Sequence, residues 1–120
     1  MNLISLIVVG LVAFLHFYFL LLEMFLWTKP LGLRVFKQSL DQAKSSAVLA
    51  ANQGLYNGFL GAGLVWGLVY PEPAFAKQIR IFFLGCVVIA GVFGACTVNR
   101  RIFFIQALPA IVGLALGILS

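Results

Sequence analysis

Four apolar runs, at residues 3–27, 46–70, 79–98 and 102–119, take up most of this 120-residue chain. About 20 apolar residues wound as an α-helix cross the hydrocarbon of a bilayer. In lipid, only helices and closed barrels satisfy every backbone hydrogen-bonding group. The expected fold is therefore all-α: an integral membrane four-helix transmembrane bundle, one domain over residues 1–120. Composition argues against a soluble domain, because only 9% of residues are charged and 63% are hydrophobic, whereas roughly 25% charged is usual. The first run is too long for the apolar part of a cleaved leader and is expected to remain as a span.

Between the first two runs lies TKPLGLRVFKQSLDQAKSS, a sizeable polar stretch. Leu33, Phe36, Leu40, Ala43 and Ala47 recur there at helical spacing, while Arg34, Lys37, Asp41 and Lys44 face elsewhere. This pattern predicts a short interfacial amphipathic segment. Ser39 and Gln42 form a capping-box signature, so a helix is expected to start near Leu40 and continue into the second span. The second connection carries Pro71 and Pro73; the third is only Asn99-Arg100-Arg101, a tight hairpin.

Lys29, Arg34, Lys37, Lys44, Arg100 and Arg101 fall on one side of the membrane, and Lys77 and Arg80 on the other. The positive-inside rule puts the richer side in the cytoplasm and both termini outside. The net charge of +5 is carried at loops and helix ends, a placement that suits a lipid bilayer with anionic headgroups and argues against nucleic acid as a partner.

Helices in lipid associate through close contact of small residues and through polar side chains. Ala50, Gly54, Gly58 and Ala62 form a ladder at four-residue steps in the second run; Gly63 with Gly67, Gly91 with Ala95, and Gly113 with Gly117 are further pairs. So small a bundle has little room for an internal pore, so transport implies a homo-oligomer, with a homodimer as the simplest form.

The residues that most need explaining are the polar ones inside the runs. An ionisable group at the bilayer centre costs roughly 2.5–3.5 kcal/mol. His16 and Glu23 are seven residues apart in the first run, hence about 20° apart around a helix and about 10 Å apart along it. They share a face without touching, so each needs its own partner. Matching depths from the cytoplasmic side nominates Asn57 for His16, and Gln53, Asn52 or Gln106 for Glu23, with Tyr56 as a further contact. Pro109 is expected to kink the last span beside Gln106. One histidine and two cysteines ten residues apart, Cys86 and Cys96, supply no metal set and no disulfide. No phosphate loop or nucleophile elbow is present, and no cofactor is expected.

Together, His16, Glu23-Met24-Phe25-Leu26-Trp27, Asn52-Gln53-Gly54-Leu55-Tyr56-Asn57-Gly58, Gly91, Gly94, Thr97, Gln106 and Pro109-Ala110 resemble the family called domain of unknown function 1304. The resemblance covers nearly the whole chain. It implies a small four-span, multi-pass protein of the bacterial cytoplasmic (inner) membrane, so that termini placed outside by the positive-inside rule are periplasmic, and it implies no activity.

The first functional expectation is an intramembrane polar site of His16, Glu23, Asn52, Gln53, Tyr56, Asn57 and Gln106 that binds or moves a small solute or a proton in a homo-oligomer. A second is a membrane-embedded enzyme or binding protein for a lipophilic ligand, with His16 and Glu23 as acid and base; the sequence offers no catalytic motif that selects it. A third is a structural or regulatory subunit whose polar residues only join helices.

Overall fold

The structure is a computed structural model that describes residues 2–119. These residues form helices α1 (Leu3–Met24), α2 (Pro30–Phe36), α3 (Leu40–Val69), α4 (Pro73–Thr97) and α5 (Leu108–Leu119), with a π-helical segment, Phe103–Ala107, leading directly into α5. No strand occurs among the described residues, so the all-α expectation holds.

Local sequence explains where the helices start. At α1 the Asn2 side chain accepts from the Ser5 amide at 2.8 Å. At α3 the anticipated capping box is formed: Ser39 Oγ accepts from the Gln42 amide at 3.2 Å, and Gln42 Oε1 accepts from the Ser39 amide at 3.0 Å. Each bond satisfies a donor that the first helical turn leaves orphaned. Ser39→Ala is expected to lower stability by about 1 kcal/mol, read as an earlier denaturation midpoint in detergent micelles; an unchanged midpoint would contradict this role. At α4 the Glu72 carboxylate accepts from the Ala74 and Phe75 amides, and Pro73 fills the first helical position.

The segment expected at the interface is helical only in part. α2 ends at Phe36, and its cap residue Lys37, with a φ of 53°, turns the chain toward α3. α2 packs on the turn that follows α1, where a Cβ at Gly32 would overlap the Leu26 carbonyl oxygen. The Trp27 ring packs on Phe36 at a tilt of 49°, with centroids 4.7 Å apart, and its indole N–H donates to Ser46 Oγ at 3.1 Å.

Two helices are long and apolar enough to cross a bilayer by length and composition: α1, 22 residues, and α4, 25 residues, whose 18-residue apolar stretches have mean hydropathies of 2.5 and 2.3. The other two expected spans depart from that pattern. α3 has 30 residues, but Asn52, Gln53 and Asn57 and its polar first turns dilute its apolar character. The π segment and α5 form an apolar stretch, Phe103–Leu119, that is shorter than a full span. The first apolar run also stops early as a helix, at Met24 rather than residue 27.

α1 lies along α3, α3 on α4, α4 on the π segment and α5, and α5 returns to α1. Gly54 meets Glu23 and Met24, Gly58 meets Leu20, and Gly61 meets Phe17, so α1 and α3 run antiparallel in close contact. Ala50, Gly54 and Gly58 of the expected ladder are buried, whereas Ala62 is exposed and Gly61 takes the next contact. Val9, Val12, Ala13, Leu64, Leu84, Val87 and Ala110 make the apolar core. The exterior is apolar as well: Phe14, Phe82, Ile89, Phe93 and Phe104 are largely exposed. Helices apolar on the outside as well as within suit lipid surroundings better than water.

Candidate functional site

The buried face of α1 carries Ser5, Val9, Val12, His16 and Glu23, spaced by three, four or seven residues. Polar groups therefore stand near the start, the middle and the end of one helix face. Ser5 and Glu23 are 18 residues apart, or about 27 Å along the axis, close to the roughly 30 Å of a hydrocarbon core. His16 is 1% exposed and Glu23 4%.

Each ionisable group meets one carboxamide, and each carboxamide comes from a different element. Asn57 on α3 donates from Nδ2 to Glu23 Oε1 at 2.5 Å. Gln106 in the π segment has its Nε2 3.0 Å from His16 Nε2. The other ring nitrogen, Nδ1, lies 2.8 Å from the Val12 carbonyl oxygen. A carbonyl only accepts, so Nδ1 carries a proton and donates to it; a Gln106 N–H donating to Nε2 corresponds to a neutral ring, and a Gln106 carbonyl facing it to a charged one. The edge of the Phe19 ring packs against the imidazole, with centroids 5.5 Å apart. Glu23 sits in the last turn of α1, where the helix dipole favours cations, so Asn57 holds a carboxyl group at a site the helix itself does not favour.

The two pairings reverse those nominated by depth, and the helix register explains why. The α1–α3 contacts set a register in which α3 presents residues about one turn further along than a hairpin joining residues 27 and 46 at one level would. Gly54 therefore faces Glu23, which brings Asn57 to Glu23 rather than to His16. On the other side, Val8 lies beside a Cβ placed on Gly113, and Gln106 beside His16. This antiparallel register sets the hairpin near Val98 level with Glu23, so Gln106 reaches His16 instead.

Of the remaining expected site residues, Asn52, Gln53 and Tyr56 are exposed on α3 and do not join the buried pairs. Asn52 Nδ2 donates instead to the Tyr56 hydroxyl at 3.3 Å. The sequence reading missed Ser5, which is 1% exposed, with an Oγ that has no hydrogen-bond partner among the described residues. The signal was available: Ser5 is 11 residues before His16, close to three helical turns and hence on the same face.

Gln106 lies inside the π-helical segment, just before Pro109. π turns inside helices recur at functional sites, because the wider turn re-aims a side chain. Proline cannot donate to the carbonyl four residues back, which fits a wider turn here. The expected kink beside Gln106 thus takes the form of a π turn. No group of three or more metal-ligating side chains occurs among the described residues.

A family model described as "Protein of unknown function (DUF1304)" matches residues 10–118. The chain is also similar to "Uncharacterized protein YpaA" of Lactococcus lactis subsp. lactis (strain IL1403), with 31% identity over 116 residues that cover 95% of this chain and 96% of that protein. No solved structure matches. The chain belongs to the DUF1304 family.

Proposed function

We propose that this member of the DUF1304 family is a four-span protein of the bacterial inner membrane that binds or moves protons, alone or together with a small solute, at an intramembrane site formed by His16 with Gln106 and Glu23 with Asn57. The observation that carries the reading is the kind of partner each ionisable group has. Both groups are buried, and both are hydrogen-bonded to a carboxamide instead of an opposite charge. A lysine or arginine partner would hold a carboxylate in its charged form. A carboxamide serves either form: its NH2 donates to a carboxylate or a neutral imidazole nitrogen, and after a half-turn its C=O accepts from a carboxylic acid or an imidazolium N–H. Such a pair can load and unload a proton without losing its hydrogen bond.

The row of Ser5, His16 and Glu23 along one face of α1 supports a route across the membrane. The apolar core between Ser5 and His16 would have to admit water or move for protons to pass. His16 and Glu23 have separate partners about 10 Å apart along the helix, which favours stepwise proton binding over joint acid–base work on one lipophilic substrate. The apolar exterior and the two long apolar helices support the membrane setting, and the distribution of Lys and Arg supports periplasmic termini.

The test is flux. Protein reconstituted into liposomes with a trapped pH-sensitive dye is expected to dissipate an imposed pH gradient faster than protein-free liposomes. A rate equal to that of empty liposomes, both with a gradient alone and with candidate solutes present, would overturn the reading.

A further inference from the structure

We propose that the cleft between the last turns of α4 and the π segment binds a phospholipid of net negative charge. The inference rests on the reading that the chain spans a bilayer, and it uses none of the residues of the proton site. The cleft has a volume of about 300 Å³ and is lined by Val92, Ala95, Cys96, Arg100, Phe103 and Phe104. Its walls are apolar, and Arg100 is the one charged group in that lining.

The chain sets the cation and the apolar walls at different depths. From Ile81 to Val98 it carries no charged residue, a stretch of about 27 Å when helical, close to the thickness of the hydrocarbon. Arg100 and Arg101 follow at once and so stand at the boundary, while Val92 lies about 6 Å deeper than Cys96 along α4. The small side chain of Ala95 leaves room on the α4 side. The Phe103 and Phe104 rings, set at 87° with centroids 5.5 Å apart, form the opposite wall. Val92, Cys96 and Phe104 are exposed, so the cleft opens sideways, where lipid would lie. Its volume is at the lower end for ligand sites and suits part of one acyl chain, with the headgroup outside at Arg100.

Charge selects the occupant. Among the described residues the Arg100 guanidinium has no acidic partner: Glu23 is bonded to Asn57, Glu72 caps the far end of α4, and Asp41 lies in the first turn of α3. A guanidinium can hold a phosphate through two parallel N–H···O bonds. Arg101 is its neighbour in the chain, and two like charges disfavour the ammonium of a zwitterionic headgroup. A free anion would meet the cation but leave the apolar walls unused. A second copy seated here about a two-fold axis would bring Arg100 against its own counterpart. An anionic phospholipid satisfies both the cation and the walls.

The experiment uses the full chain in vesicles of equal parts phosphatidylglycerol and phosphatidylcholine, with photoreactive benzoylphenylalanine in place of Phe104. Light links this residue to its neighbour, and mass spectrometry of the intact protein identifies the adduct. Phosphatidylglycerol adducts are expected to exceed phosphatidylcholine adducts about fivefold, the ratio that one cation near the surface supplies. The same residue in place of Phe25, exposed just past the end of α1, is expected to show only the weak preference of a generally basic surface. Arg100→Gln is expected to bring the ratio at position 104 down to that at position 25. The Arg100 side chain is exposed, so this variant should fold as the wild type does. Equal ratios at the two positions would overturn the proposal, as would an unchanged ratio in Arg100→Gln or adducts to a second copy of the chain in place of lipid. Alkaline carbonate extraction of native membranes separates this site from the membrane setting. Release of the chain would sink both together; retention without a phosphatidylglycerol preference at position 104 would sink the lipid site alone.

Discussion

Glu23→Gln is expected to bring proton flux in liposomes down to the level of empty vesicles while leaving the folded protein intact. The substitution keeps the size of the side chain and its hydrogen-bonding reach, so Asn57 retains a partner in the buried pair. It removes the group that takes up and releases the proton. Loss of function should therefore appear without loss of stability, which sets this variant apart from Glu23→Ala. Truncation to alanine strands the Asn57 amide in a buried position, at a cost of about 1–3 kcal/mol, and should lower the denaturation midpoint. Wild-type flux in a folded Glu23→Gln protein would rule out Glu23 as a proton carrier.

The second large effect is structural and reaches the site from outside it. A Cβ at Gly91 would lie 2.6 Å from the Ala107 backbone nitrogen and 2.9 Å from its Cα. Backbone cannot step aside as the tip of a side chain can, so Gly91→Leu must push α4 off the π segment. Overpacking commonly costs 1–3 kcal/mol, and this contact should fall near the upper end, about 3 kcal/mol. Because Gln106 sits one residue before Ala107, the same displacement should weaken its bond to His16. Gly85→Ala is the matched control: a Cβ there meets nothing within 4 Å, and replacing glycine inside a helix should stabilise by roughly 0.5–1 kcal/mol. Thermal denaturation of the three proteins in micelles decides the matter. Equal midpoints for Gly91→Leu and the wild type would contradict the α4–π contact.

The parts of this architecture that are local in sequence were legible there. Apolar runs foretold helices, Ser39 and Gln42 foretold the start of α3, and Pro109 foretold an irregularity beside Gln106. His16 and Glu23 stood out because ionisable groups are costly in apolar runs, and helical geometry correctly forbade their direct contact. Partner assignment failed because it depends on register between helices. The register that sets Gly54 against Glu23 lies about a turn from that of a hairpin joining residues 27 and 46, and Gln106 stands level with His16, which exchanged Asn57 and Gln106 between the two ionisable groups. Asn52, Gln53 and Tyr56 missed the site for a different reason, the face of α3 on which they stand. Depth along a sequence says nothing about angle around a helix: Asn52 and Gln53 share a level with buried residues yet point away from them.

Gly54, Gly58 and Gly61 link these levels. Their small size lets α1 and α3 approach closely, and that approach carries Asn57 to Glu23. The polar pairs therefore join α1 to two different neighbours at two depths. A change of protonation at either pair would alter the hydrogen bond between α1 and one neighbour at a time, which is a means for proton binding to bias helix packing.

The central claim is that Glu23 gains and loses a proton inside the membrane while its bond to Asn57 persists. Infrared difference spectroscopy of the protein in bilayers, recorded across a pH step, tests this most directly. The account predicts a reversible protonated-carboxyl band in the wild type that is missing in Glu23→Gln, over the signals of Asp41 and Glu72 common to both. Difference spectra that are identical in the two proteins across the titration would contradict it.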